Sequence, residues 1–123
     1  MVVGVSHSAA IARYRKILSL APDTPLALNN LAYALAVRKG ELREAQPLAE
    51  RAHSLAPQSG VIADTLGWIY FISGDAGRAL PLLSEAARLE PDSAEIREHL
   101  ATIQAALGGG SAARPSRPPP RKR

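Results

Sequence analysis

The strongest constraint on this chain is an internal repeat. Residues 40–57 laid over residues 74–91, an offset of 34, match at Gly40/Gly74, Ala45/Ala79, Pro47/Pro81, Leu48/Leu82, Ala52/Ala86, Leu55/Leu89 and Pro57/Pro91. Seven identities in eighteen positions stand against about one expected by chance, so the period is real. Upstream, Leu20-Ala21-Pro22 has the same form as Leu55-Ala56-Pro57 and Leu89-Glu90-Pro91. Apolar residues make up 46% of the 123, dominated by alanine and leucine, and aromatics only 4%. That balance favours close-packed helices over a β-sandwich.

Within each copy the apolar residues follow helical spacing. Leu28, Leu31, Ala32 and Leu35 recur as Ala63, Leu66, Gly67 and Tyr70, an i, i+3, i+4, i+7 stripe. The small residue, Ala32 or Gly67, is expected where two helix axes come close. Gly40 and Gly74 follow the stripe, where a helix C-terminus favours a residue tolerant of positive φ. A second stripe then runs through Leu42, Ala45, Ala49 and Ala52, or Ala76, Ala79, Leu83 and Ala86. Pro57 and Pro91 end the second helix, since proline lacks an N–H and restricts the residue before it. Pro47 and Pro81 are expected near the first turn of that helix, where a missing donor costs little.

A 34-residue helix–turn–helix period of the form W-x2-L-G-x2-Y, A-x3-F, P resembles the tetratricopeptide repeat (TPR). The second copy carries Leu66, Gly67, Tyr70, Gly74, Asp75, Ala79, Ala86 and Pro91 where the pattern wants them. It departs at Ala63, in place of tryptophan, and at Leu83, in place of phenylalanine. The first copy has Ala32 for the glycine and Leu35 for the tyrosine. It also holds one more residue before its turn: Leu31 to Gly40 is nine steps, Leu66 to Gly74 eight. The wording around Asp64–Tyr70 is similar to bacterial repeats of large envelope-associated proteins. The resemblance implies an all-α fold, a solenoid of about six antiparallel helices, and a scaffold that serves many functions.

The expected division is a lead at 1–7, a repeat domain at 8–107 and a tail at 108–123. Inside the domain stand an orphan helix (8–21), a repeat (25–57), a second repeat (60–91) and a capping helix (94–107). The orphan helix carries Ile11, Tyr14, Ile17 and Leu18, a face expected to stay partly uncovered and to support weak self-association. The capping helix has Ile96, Leu100, Ile103 and Leu107 on one side and Glu95, Glu98, Thr102 and Gln104 on the other. The whole reads as the C-terminal part of a longer array.

Residues 1–107 contain ten Lys/Arg against eleven Asp/Glu, so the charge excess belongs to the tail, with Arg114, Arg117, Arg121, Lys122 and Arg123. A basic nucleic-acid-binding body is therefore not supported. The tail reads as disordered by composition. Charge-driven binding to nucleic acid or an anionic surface through it is the alternative function.

No cysteine is present, which excludes disulfides and thiol chemistry. No apolar run reaches the ~20 residues that span a bilayer. The opening residues lack the features of an export signal. The expected compartment is cytoplasmic, or periplasmic or envelope-associated within a longer exported protein. His7, His53 and His99 show no carboxylate or histidine at ligand spacing, so no metal, no cofactor and no catalytic residue is expected. Gly108-Gly109-Gly110 ends a helix and does not open a phosphate loop.

The resemblance also implies a groove lined by the first helix of each repeat, binding a protein or peptide partner. Matching helical phase gives Asn29, Tyr33, Ala36 and Val37 from the first copy and Asp64, Trp68, Phe71 and Ile72 from the second. Tyr33 and Trp68 align and are expected to form an aromatic floor, with packing of Trp68 and Phe71 between repeats as the competing reading. A cationic carboxylate clamp, used by some relatives for chaperone C-termini, is not expected: the corresponding positions hold Asn29, Tyr33, Thr65, Glu95 and His99.

Overall fold

The computed structural model describes residues 7–108, and the side chains of residues 8–108. The expectations for the lead and for tail residues 109–123 fall outside this range. The chain forms α1 (His7–Leu20), α2 (Pro25–Tyr33), α3 (Leu42–Leu55), α4 (Gly60–Ile72), α5 (Ala76–Leu89) and α6 (Ala94–Gly108). Six α-helices and no strand occur among the described residues, and no described helix is long and apolar enough to cross a membrane.

The helices stack in two rows. Each hairpin pairs an inner helix with an outer one, α2 with α3 and α4 with α5, and α4 also touches α2 on one side and α6 on the other. Alanines make this proximity possible: Ala32, Ala45, Ala49, Ala52, Ala63, Ala79 and Ala86 are fully buried. Short side chains let axes approach, and Leu35, Ile69, Leu83 and Ile103 fill the space left between them. Gly67 sits at the tightest crossing. A Cβ there would run into the Leu83 side chain and lie 3.1 Å from Leu82 Cβ and 3.3 Å from the Ala79 carbonyl, all on the partner helix of the hairpin.

The extra residue of the first copy has a structural outlet. After Tyr33 the helix widens into a π-helical segment, Ala34–Arg38, before Gly40 turns the chain. In the second copy the Asp75 N–H closes on the Tyr70 carbonyl, five residues back. In the first, the Glu41 N–H closes on Leu35, six residues back. Both turns still pass through a left-handed glycine, φ 70° at Gly40 and 96° at Gly74. One residue is thus absorbed as a bulge without moving the turn.

One expectation needs correcting. Pro47 and Pro81 are each the sixth residue of their helices, beyond the first turn. Each removes an interior hydrogen bond, and both lie on the exposed side of their helices. The N-terminal helix stays partly uncovered, as its stripe implies. It packs on α2 and on the π-helical segment, burying Ile11 and engaging Tyr14 and Leu18 in the core. Only Ile17 and Leu20 of its larger apolar residues stay exposed.

Candidate functional site

The inner helices α2, α4 and α6 place their early turns side by side. Asn29 is the fifth residue of α2, Asp64 the fifth of α4, and Glu95 and His99 the second and sixth of α6. The start of α4 is set by Ser59, whose hydroxyl accepts the Ile62 N–H at 3.2 Å. Ser93 does the same for Ile96 at the start of α6, also at 3.2 Å. These caps fix the phase in which the two helices show their side chains to each other.

Across that junction the His99 Nδ1–H donates to Asp64 Oδ1 at 2.8 Å. The His99 ring stacks on Trp68, centroids 4.0 Å apart and planes 16° from parallel. Trp68 in turn meets Phe71 at 5.1 Å, tilted by 34°. The side chains of Asp64 and His99 are both largely shielded from water. Burial pushes the Asp64 carboxyl above its ordinary range, while the His99 hydrogen bond pulls it down. With Nδ1 committed, Nε2 is turned toward Glu95, 4.0 Å from Oε2.

Asp64, Glu95 and His99 bring one ligand atom each within 4.8 Å of one another, the group among the described residues that could hold a metal ion. The expectation that no histidine has a carboxylate at ligand spacing is corrected here: Glu95 stands four residues before His99 on α6, and Asp64 is its hydrogen-bond partner from α4. The partner lies 35 residues away on a neighbouring helix, a separation that no local ligand spacing carries. Asp64 Oδ1 is already engaged by His99, and the Glu95 side chain is mostly exposed. Geometry here favours an orienting contact between helices.

No family model matches the chain. A TPR repeat-containing protein of Pseudomonas aeruginosa is 37% identical over 86 residues, which is 70% of this chain. The Sgt2 TPR domain of Aspergillus fumigatus superposes with a TM-score of 0.78 at 26% identity, over 91% of this chain and 76% of that one. The chain belongs to the tetratricopeptide repeat family. It spans only 14% of the Pseudomonas protein. The first TPR of Spaghetti (RPAP3), solved with an HSP90 peptide bound, has the same fold: TM-score 0.75, 24% identity, 83% of this chain and 80% of that one.

Against this TPR frame the expected groove residues separate. Trp68 and Phe71 form one ring cluster with His99. Tyr33 is not among Trp68's ring contacts and lies instead beneath the Arg38 guanidinium, 6.0 Å from its centroid. Asn29 and Ala36 are buried, while Val37 and Ile72 are exposed on the same row of helices. His99 is the residue that sequence reasoning passed over for this cluster. Continuing the period into the last helix at offset 34 aligns Ile62 with Ile96 and Leu66 with Leu100. It sets His99 opposite Thr65, one position from Asp64, and that was one available signal.

Proposed function

We propose that this TPR domain is a non-catalytic protein-interaction module whose α2–α4–α6 face receives an extended peptide or a partner helix. The observation that carries the reading is the half-buried Trp68, Phe71 and His99 cluster, with Val37 and Ile72 on the same row of helices 41% and 37% exposed. Rigid aromatic groups, partly desolvated before any partner arrives, are the side chains that most often anchor a protein partner. The peptide held by the Spaghetti TPR supports such a use of the fold. His99 is read as structural, because its Nδ1 is held by Asp64 and its face by Trp68.

The test is selection of binding peptides from a random library on the full chain, followed by Val37→Ser with Ile72→Ser. Both side chains are exposed, so the double variant should melt like the parent and lose at least tenfold in affinity, about 1.4 kcal/mol or more. Undiminished binding by the double variant would place the partner surface elsewhere.

A further inference from the structure

The early turns of the inner helices hold a surplus of acceptors. Asn29 is 4% exposed, its amide N–H is turned to Asn30 at 3.4 Å, and its Oδ1 has no hydrogen-bond partner. Asp64 and Glu95 add two carboxylates, and His99 faces both. Two carboxyl groups thus share one imidazole at this end of the face. The cations on these helices do not cancel them. Arg97 donates to the Pro91 carbonyl at 2.9 Å, and Arg38 lies at the opposite end of the face over Tyr33. An acidic ligand at this end would set carboxylate against carboxylate in a partly dry site, which is repulsive and costs desolvation as well.

We propose that this end of the face selects a peptide carrying an arginine or lysine, whose head group is received by Asp64 and Glu95 while its aliphatic stem lies along Trp68 and Phe71. The inference rests on the reading of this face as a peptide-binding surface. Long cationic side chains suit it because the stem covers apolar surface while the charge reaches past it. Arginine fits better than lysine, since its planar fork can meet a carboxylate with two parallel hydrogen bonds. Asn29 Oδ1, buried and unpaired on the neighbouring inner helix, adds a further acceptor at these early turns.

The chain contains one tryptophan, so Trp68 emission reports on this site directly. Two amidated nonapeptides on one apolar frame, SLKRAKLRS and SLEDAELDS, are titrated into the full chain with EDTA present, at low and high salt. The basic peptide should bind about tenfold tighter at low salt, and the gap should shrink as salt shortens the Debye length. Glu95→Gln, at an exposed position outside the core, should reduce the preference about threefold, and adding Asp64→Asn should nearly abolish it. Equal binding of the two peptides, or a preference for the acidic one, overturns the charge inference and leaves the face reading standing. Emission unmoved by either peptide at millimolar concentration overturns both.

Discussion

At the start of the second repeat the Ser59 hydroxyl accepts the Ile62 N–H. At the start of the first, the Thr24 hydroxyl donates backward to the Ala21 carbonyl at 2.8 Å and caps nothing. The same contrast recurs at the outer helices. Asp75 accepts the Arg78 N–H at 3.1 Å, whereas Glu41, its counterpart, makes no side-chain cap. Tyr70 donates to Glu50 at 2.7 Å and accepts from Arg78 at 2.8 Å, tying the two repeats together. Its counterpart Leu35 is simply buried. The second repeat is specified by local chemistry, and the first holds its shape mainly by burial between α1 and the second repeat. Family residues in one copy can therefore carry a less faithful neighbour, provided the apolar stripe is kept.

The largest expected effect separates Gly67 from Ala32. Gly67→Leu forces side-chain atoms into α5 and should cost about 1–3 kcal/mol. Ala32→Gly only loosens its helix, by about 0.5–1 kcal/mol. Thermal melts in which the two lose equally would mean that the crossing at Gly67 is not the tighter one.

The caps come next. Ser59→Ala and Asp75→Ala should each lower stability by about 1 kcal/mol, while Thr24→Ala and Glu41→Ala should stay within about 0.5 kcal/mol. Denaturant midpoints for the four variants decide this, and equal losses in both repeats would erase the contrast drawn above.

The smallest effect is seen only at high pH. Burial first, and then the hydrogen bond to Glu50, push the Tyr70 phenol from 10.0 up to about 12. Folding thus favours the protonated form. The stabilisation is complete below the unfolded value and is lost as pH rises through the folded one. An ultraviolet titration should show a late-ionising tyrosine step that is absent from Tyr70→Phe. A late step that survives the substitution would assign it to another ring.

Much of this architecture could be read from spacing alone. The hairpins, the glycine turns and the close approach at Gly67 follow from stripes and small residues, because those features act within one helical hairpin. What escaped were consequences of neighbours. The extra residue was visible as a count, but its conversion into a π-helical segment depends on Gly40 and the outer helix keeping their places. Pro47 and Pro81 read as first-turn residues because proline usually stands there, yet packing on both sides carries each helix through the lost bond. His99 belongs to the cluster through Asp64, 35 residues earlier, and the local signal on the last helix was Glu95, four residues before it. For the proposed groove, phase matching could not distinguish buried Asn29 and Ala36 from exposed Val37 and Ile72.

The central claim is that the α2–α4–α6 face is the partner surface. The most direct measurement is an amide chemical-shift map of the full chain, titrated with a peptide selected from the library. The largest shifts are expected at Asp64, Trp68, Phe71, Ile72 and His99, with α3 and α5 nearly silent. Shifts concentrated on the outer helices, or confined to residues 109–123, would contradict the claim.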